Sequence, residues 1–246
     1  MFTYQIIVEY NGTNFVGWQI QKNGLSIQES IQTALNKTLN QKIILYGSGR
    51  TDSGVHAHAQ SAHFTSKTKI INNFFFLNTV NFFLGKKKIS ILKILKKSHN
   101  FHARYCAKQR TYKYLIINRI APLSLDENKA WHVKSILNIE VMKKVAKLLG
   151  GTKDFSTYRS SSCGAESPVR TLEKVRIVKK GSKIIITFKS QSFLQQQVRS
   201  MVGCLKFAAQ GKWNVQKFKD VMNSKKRINC APPAPAKGLY LFKVNY

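Results

Sequence analysis

At 246 residues, with 43% hydrophobic content and 15 phenylalanines, the chain is long enough for one large domain or two small ones and is no disordered basic tail. The formal net charge of +31, from 41 lysines and arginines against 10 aspartates and glutamates, is spread along the chain and favours a polyanion partner, foremost nucleic acid. Cys106, Cys163, Cys204 and Cys230 show no C-x-x-C spacing, which disfavours zinc and suits reduced thiols in a cytosolic protein. The N-terminus lacks the basic and apolar regions of a signal peptide, and no run approaches the length of a membrane span, so a soluble cytoplasmic protein without a membrane partner is expected. Part of the lysine excess follows compositional drift, because asparagine, isoleucine and phenylalanine are abundant too.

Thr3 to Tyr10 alternates, with Tyr4, Ile6, Val8 and Tyr10 on one face, and predicts a strand that Asn11-Gly12-Thr13-Asn14 ends as a turn. Ser26 caps a helix reaching about Leu39, with Glu29 three residues on and Ile27, Ile31, Ala34, Leu35 and Leu39 on the buried face. A second strand is expected from Ile43 to Tyr46, a third from Gln60 to Thr65, a helix from Ile70 to Leu84 and a strand from Lys88 to Lys96. The order is β-α-β-β-α-β.

The second half suggests the same order. Thr111 to Asn118 alternates as a strand, and Asn138 caps a helix running to Leu149 that Gly150-Gly151 stops. Val169 to Val178 and Lys183 to Lys189 read as a hairpin, followed by helices over Gln195 to Ala209 and Val215 to Met222. A proline-rich stretch, Cys230 to Ala236, leads into a last strand, Leu239 to Tyr246. The expected fold class is α+β: two ferredoxin-like or RNA-recognition-like halves, 1–107 and 108–246, whose antiparallel sheets join into one extended sheet. The first half carries the Asp52 loop; the second completes a base pocket and supplies dimer contacts.

Arg50-Thr51-Asp52-Ser53-Gly54-Val55-His56 places a carboxylate beside a guanidinium in a chain with only four aspartates. A strongly positive field keeps such an acid ionised, so Asp52 is either half of a structural ion pair or a reactive anion. His56, His58 and His63 invite a metal reading, but no nearby cysteine or glutamate completes a set. A glycosidase would want a second carboxylate, and Ser53 lacks the setting of a serine nucleophile. Tyr112 and Tyr114 in Arg110-Thr111-Tyr112-Lys113-Tyr114 are either strand core or a platform on which a base stacks. Arg199, read by itself, is a surface charge.

Several blocks in order carry a resemblance. Arg50 to Ala57, Arg110 to Tyr114, Val198-Arg199-Ser200-Met201-Val202-Gly203 and Gly238-Leu239-Tyr240-Leu241 resemble the tRNA pseudouridine synthase TruA family. Tyr10-Asn11-Gly12, Gly17-Trp18-Gln19, Asn100-Phe101-His102-Ala103-Arg104 and Asp154-Phe155-Ser156 match it too. The resemblance spans the chain from Ile6 onward. It implies isomerisation of uridine to pseudouridine at positions 38 to 40 of the tRNA anticodon stem-loop, by a homodimer that needs no metal or small-molecule cofactor. By the same resemblance Asp52 is the catalytic aspartate and Arg50 the arginine that helps expose the target base. Tyr112 is the tyrosine that stacks on uracil, Arg199 the arginine that pairs with the aspartate, and Leu239 the leucine lining the base pocket. One departure is Gln195-Gln196-Gln197, where relatives commonly carry histidine and methionine. The alternative from another class is a non-catalytic RNA-binding module or RNA chaperone on the same fold, and a nucleoside hydrolase is a third reading.

Overall fold

The computed structural model describes residues 1–246. Five α-helices and eleven strands make it a mixed α+β chain, and no helix is long and apolar enough to cross a membrane. Met1–Lys108 together with Tyr240–Tyr246 forms one compact unit, and Gln109–Leu239 forms a second.

The first unit runs β1 (Phe2–Tyr10), α1 (Ile27–Leu39), β2 (Tyr46–Gly47), β3 (His56–Ser66), α2 (Asn73–Leu84) and β4 (Ile89–Lys97). This is the order the sequence predicts. β1 is central, antiparallel to β3 with Ile6 opposite Ala62 and to β4 with Ile6 opposite Ile94. Alternation places Tyr4, Ile6, Val8 and Tyr10 in the core, and the face of α1 that carries Ile27, Ile31, Ala34 and Leu35 is buried too. Ser26 accepts from the Glu29 N–H at 3.1 Å, so the expected cap forms, while Leu39 stays half-exposed. The helix expected from Ile70 begins at Asn73, because Asn72 takes the cap and the Ile70 N–H is spent on the Tyr4 hydroxyl at 2.7 Å.

The strand expected over Ile43 to Tyr46 shrinks to Tyr46–Gly47. Ile43 and Leu45 are buried as the pattern requires, but helix side chains satisfy their backbone. The Ile43 N–H donates to Asn36 Oδ1 at 2.7 Å, the Leu45 N–H to Gln32 Oε1 at 2.9 Å, and Gln28 Nε2 donates to the Leu45 carbonyl at 2.7 Å. Glutamine and asparagine of α1 thus replace a ladder partner.

The second unit runs β5 (Gln109–Asn118), β6 (Trp131–Val133), α3 (Ile139–Ala146), β7 (Gly151–Asp154), β8 (Val169–Leu172), β9 (Arg176–Lys180), β10 (Lys183–Ser190), α4 (Gln197–Ala209) and α5 (Val215–Asn223). β6 and β7 have no counterpart in the expected order; at three and four residues they are too short to show a period. The arm expected over Val169 to Val178 divides into β8 and β9. Between the pairs Thr187–Arg176 and Ser190–Leu172 it carries one residue more than β10, a bulge that breaks the strand. α3 ends at Ala146 and tightens into a 3-10 turn over Lys147–Leu149. α4 begins two residues later than expected, because Gln196 takes a left-handed φ of 60°.

The last strand, β11 (Leu239–Asn245), lies parallel to β3, with Tyr240 opposite His56 and Leu241 opposite Ala57. The free edge of β3 is therefore shared between β11 at its start and β2, where Tyr46 faces His63. The loop carrying Asp52 leaves β2 and returns as β3.

Candidate active site

The Asp52 loop is short and heavily tied. The Trp18 N–H donates to the Thr51 carbonyl at 3.0 Å, and the Tyr10 and Thr51 hydroxyls share a bond of 2.8 Å. The Ser53 hydroxyl donates to the Phe15 carbonyl at 3.0 Å, and the Val55 N–H closes a turn onto the Asp52 carbonyl at 3.1 Å. On the β2 side, the Ser48 N–H donates to the Ser61 carbonyl at 2.7 Å and Gln60 Nε2 to the Gly49 carbonyl at 2.9 Å. Gly17, at φ 116°, lets the backbone pass so close that a Cβ there would meet the Thr51 carbonyl oxygen at 2.6 Å. The result is a rigid tip presenting a half-buried Asp52 and an exposed Arg50. Glycine marks this loop in the sequence. The clamp from residues 10 to 18 could be found only as the Tyr10-Asn11-Gly12 and Gly17-Trp18 blocks of the resemblance.

The three histidines of the metal reading have other employment. His56 is buried and its Nδ1 accepts from the Gly12 N–H at 3.0 Å, while its ring stacks on Tyr240 at 4.8 Å. His58 is exposed, also stacks on Tyr240, at 5.1 Å, and lies 4.0 Å from Glu9. His63 Nδ1 accepts from the Ala103 N–H at 3.1 Å. No three histidines, cysteines, aspartates or glutamates lie close enough together to hold a metal ion. Desolvation, helped by His102, pushes His63 from its ordinary 6.5 down to about 4. The unfolded chain therefore binds a proton at a pH where the folded one does not, and stability falls as pH drops from about 6.5 toward about 4. His63→Asn, which keeps an acceptor for Ala103, is expected to lose less of its urea midpoint than the wild type between pH 7.5 and 5. Equal losses would refute this.

The remaining predicted residues lie in the second unit. Tyr112 is 8% exposed, opposite Phe188 on β10 and edge-on to Phe193 at 5.2 Å, so it is strand core along most of its surface. Arg199 on α4 is half-buried, not the surface charge its isolated position suggests. Its Nε donates to the Ala234 carbonyl at 2.8 Å, and the Ala234 N–H donates back to the Arg199 carbonyl at 2.9 Å. Tyr114 donates its hydroxyl to the next carbonyl, Pro235, at 2.7 Å. Burial pushes that phenol well up, with Arg199 opposing, so it stays a neutral donor. The proline-rich stretch is thus more than a lead-in to β11: it fixes Arg199 and Tyr114, and it delivers Leu239, which is 5% exposed. Gly203, ending the Val198 to Gly203 block, lets this stretch cross α4, since a Cβ there would meet the Pro232 oxygen at 2.1 Å.

The glutamine run is absorbed by the start of α4. Gln197, the first residue of α4, is fully buried and its Oε1 accepts from the Leu194 N–H at 2.8 Å, which ties the segment before the helix to its first turn. Asp154, in the Asp154-Phe155-Ser156 block, accepts from the Ser156 N–H at 2.8 Å and lies 3.7 Å from Lys225. Partial burial raises its pKa, but the Ser156 bonds and Lys225 outweigh this and hold it below the usual carboxylate value. It is a structural acid.

A protein of Pelagibacter ubique (strain HTCC1062) named tRNA pseudouridine synthase A is 58% identical over 246 residues, with 100% of both chains covered. The chain belongs to the tRNA pseudouridine synthase A family. Members from Maricaulis maris (strain MCS10) and Neorickettsia sennetsu (strain ATCC VR-367 / Miyayama) are each 41% identical over 243 residues, covering 99% of this chain and 97% and 99% of theirs. The tRNA pseudouridine synthase family model matches residues 145–246, the stretch holding Arg199 and Leu239. A solved Cbf5-Nop10-Gar1 complex covers 83% of this chain and 53% of that one at 11% identity and TM-score 0.35, too slight a likeness to bear on this family member.

Proposed function

We propose that this protein isomerises uridine to pseudouridine at positions 38 to 40 of the tRNA anticodon stem-loop, as a cytoplasmic homodimer without metal or cofactor, with Asp52 as its catalytic carboxylate. The observation that carries this is the clamped Arg50–His56 loop, in a chain whose full-length relatives bear the name tRNA pseudouridine synthase A. The reaction breaks the N1–C1′ bond, turns the freed uracil and joins C5 to C1′. The C5 proton leaves and N1 gains one, so nothing is consumed. One reversible anion and a pocket that retains uracil suffice.

Asp52 supplies the anion, attacking the sugar or the base or removing a sugar proton. Arg50, exposed on the same loop, meets the RNA and helps the target leave its stack, a step costing on the order of a few kcal/mol. Phosphate contacts from a surface with 31 more cations than acids offset that cost. Tyr112 offers uracil a flat face, Leu239 excludes water so the detached base recombines, and Arg199 orients the carboxylate. The anchoring of Arg199 to Ala234 supports a positioning role, since a guanidinium that only neutralised phosphate would not need a fixed backbone seat.

Tritium release from tRNA labelled at uridine C5 tests the proposal. A chain that binds tRNA and releases no tritium is the non-catalytic RNA binder, and free uracil as product marks a nucleoside hydrolase. Arg199→Ala is expected to lower kcat about 100-fold while changing tRNA affinity less than about threefold. The reverse pattern would make it a phosphate contact.

A further inference from the structure

The first unit carries a second cluster that the Asp52 loop does not use. Four rings adjoin in series. Tyr46 stacks on His63 with centroids 5.2 Å apart, His63 lies 4.6 Å from His102, and His102 lies 4.3 Å from Tyr105. The middle of the series is fixed: the Ala103 N–H donates to His63 Nδ1, and the Arg104 N–H donates to His102 Nδ1 at 3.2 Å. Tyr246 ties the same segment down, its hydroxyl 2.9 Å from the Ala103 carbonyl and 2.7 Å from Ser61 Oγ. The two end rings are open to solvent, Tyr46 being 47% and Tyr105 74% exposed.

Exposed tyrosines backed by adjoining rings lose little freedom when a further flat group adds to them. Desolvation keeps both imidazoles below the ordinary histidine value, His63 at about 4, so at neutral pH they offer π faces and not charge. The charge comes instead from Arg104, whose guanidinium lies 5.6 Å over the Tyr105 ring. A flat face for a base with a cation beside it for the phosphate is how proteins hold unpaired nucleotides. A protein partner would want an apolar patch, and this one is edged with histidine and arginine in a chain of net charge +31.

We propose that Tyr46, His63, His102 and Tyr105, with Arg104, form a stacking site for an unpaired tRNA base other than the uridine that Asp52 transforms. The site rests on tRNA being the substrate, but it is read by binding and not by product. Unmodified tRNA transcript is titrated against the full chain at two salt concentrations, with kcat and KM measured on the same preparations. Tyr105→Ala is expected to weaken Kd and raise KM about tenfold, with kcat moving less than about twofold, while Tyr105→Phe stays within about twofold of wild type. The salt slope is expected to stay unchanged, because no cation is removed. Tyr46→Ala is expected to weaken Kd by a smaller factor. Unchanged affinity in both alanine variants overturns the site, as does a fall in kcat with KM unmoved. Tyr105→Phe binding as weakly as Tyr105→Ala also overturns it, because a stack survives that change. If the wild type binds tRNA but forms no pseudouridine, the catalytic proposal fails while the Kd comparison still decides this one.

Discussion

Purified Asp52→Ala is expected to form no measurable pseudouridine, at least about 10⁴-fold below wild type, while binding tRNA within about threefold of it. Asp52→Asn is the sharper variant, since it keeps the shape and removes only the anion. Two consequences separate a reactive carboxylate from a structural one. Removing a negative charge from a surface of net +31 leaves phosphate attraction intact or stronger, so affinity does not fall. The loop's fixed backbone hangs on Thr51, Ser53, Gly49 and Ser48, so its shape survives the loss of the Asp52 side chain. An Asp52 that only held an ion pair would show the opposite: loss of thermal stability and affinity with residual tritium release. Substantial pseudouridine from purified Asp52→Ala would sink the catalytic assignment.

Much of the first unit was legible because its elements are long and strongly patterned. A nine-residue strand alternating Tyr4, Ile6, Val8 and Tyr10, and a helix capped by Ser26, announce themselves by period and cap. Where elements depart from the expected pattern the cause is shared: tertiary partners override local pattern. Ile43 and Leu45 are as apolar as a strand requires, yet Asn36, Gln32 and Gln28 take their backbone groups. β6 and β7 are too short to carry a period, and the bulge between β8 and β9 exists only as a mismatch with β10. Around the candidate site, residue type made Asp52 and Arg50 visible, because an acid is conspicuous in so basic a chain. Arg199 looked like any surface arginine, since its seat on Ala234 joins residues 35 apart in sequence. The ring series is hidden in the sequence for the same reason: Tyr46, His63 and His102 come from three separate segments that only the fold brings together.

Gly17→Ala is expected to cost on the order of 3 kcal/mol in unfolding free energy and to lower turnover by roughly 100-fold in molecules that remain folded. Both effects come from one methyl group. The φ of 116° is a conformation that residues with a Cβ rarely adopt, so the backbone must rotate or carry strain. The new Cβ also meets the Thr51 carbonyl oxygen at 2.6 Å, and Asp52 and Ser53 backbone atoms at 3.2 Å, none of which is the far end of a flexible side chain. Relief requires the loop to move, yet the Trp18 N–H and the Tyr10 hydroxyl hold Thr51 where it is. The strain therefore reaches Asp52 itself, where a misplacement of about 1 Å is enough for the expected loss in rate. Gly164→Ala is the control, since nothing lies within 4 Å of a Cβ there; it is expected to stay within about 0.5 kcal/mol of wild type and fully active. Urea unfolding and tritium release on the two variants check this together. A Gly17→Ala protein as stable and active as Gly164→Ala would show that the loop is not clamped, and that the carboxylate owes its position to something other than residues 10 to 18.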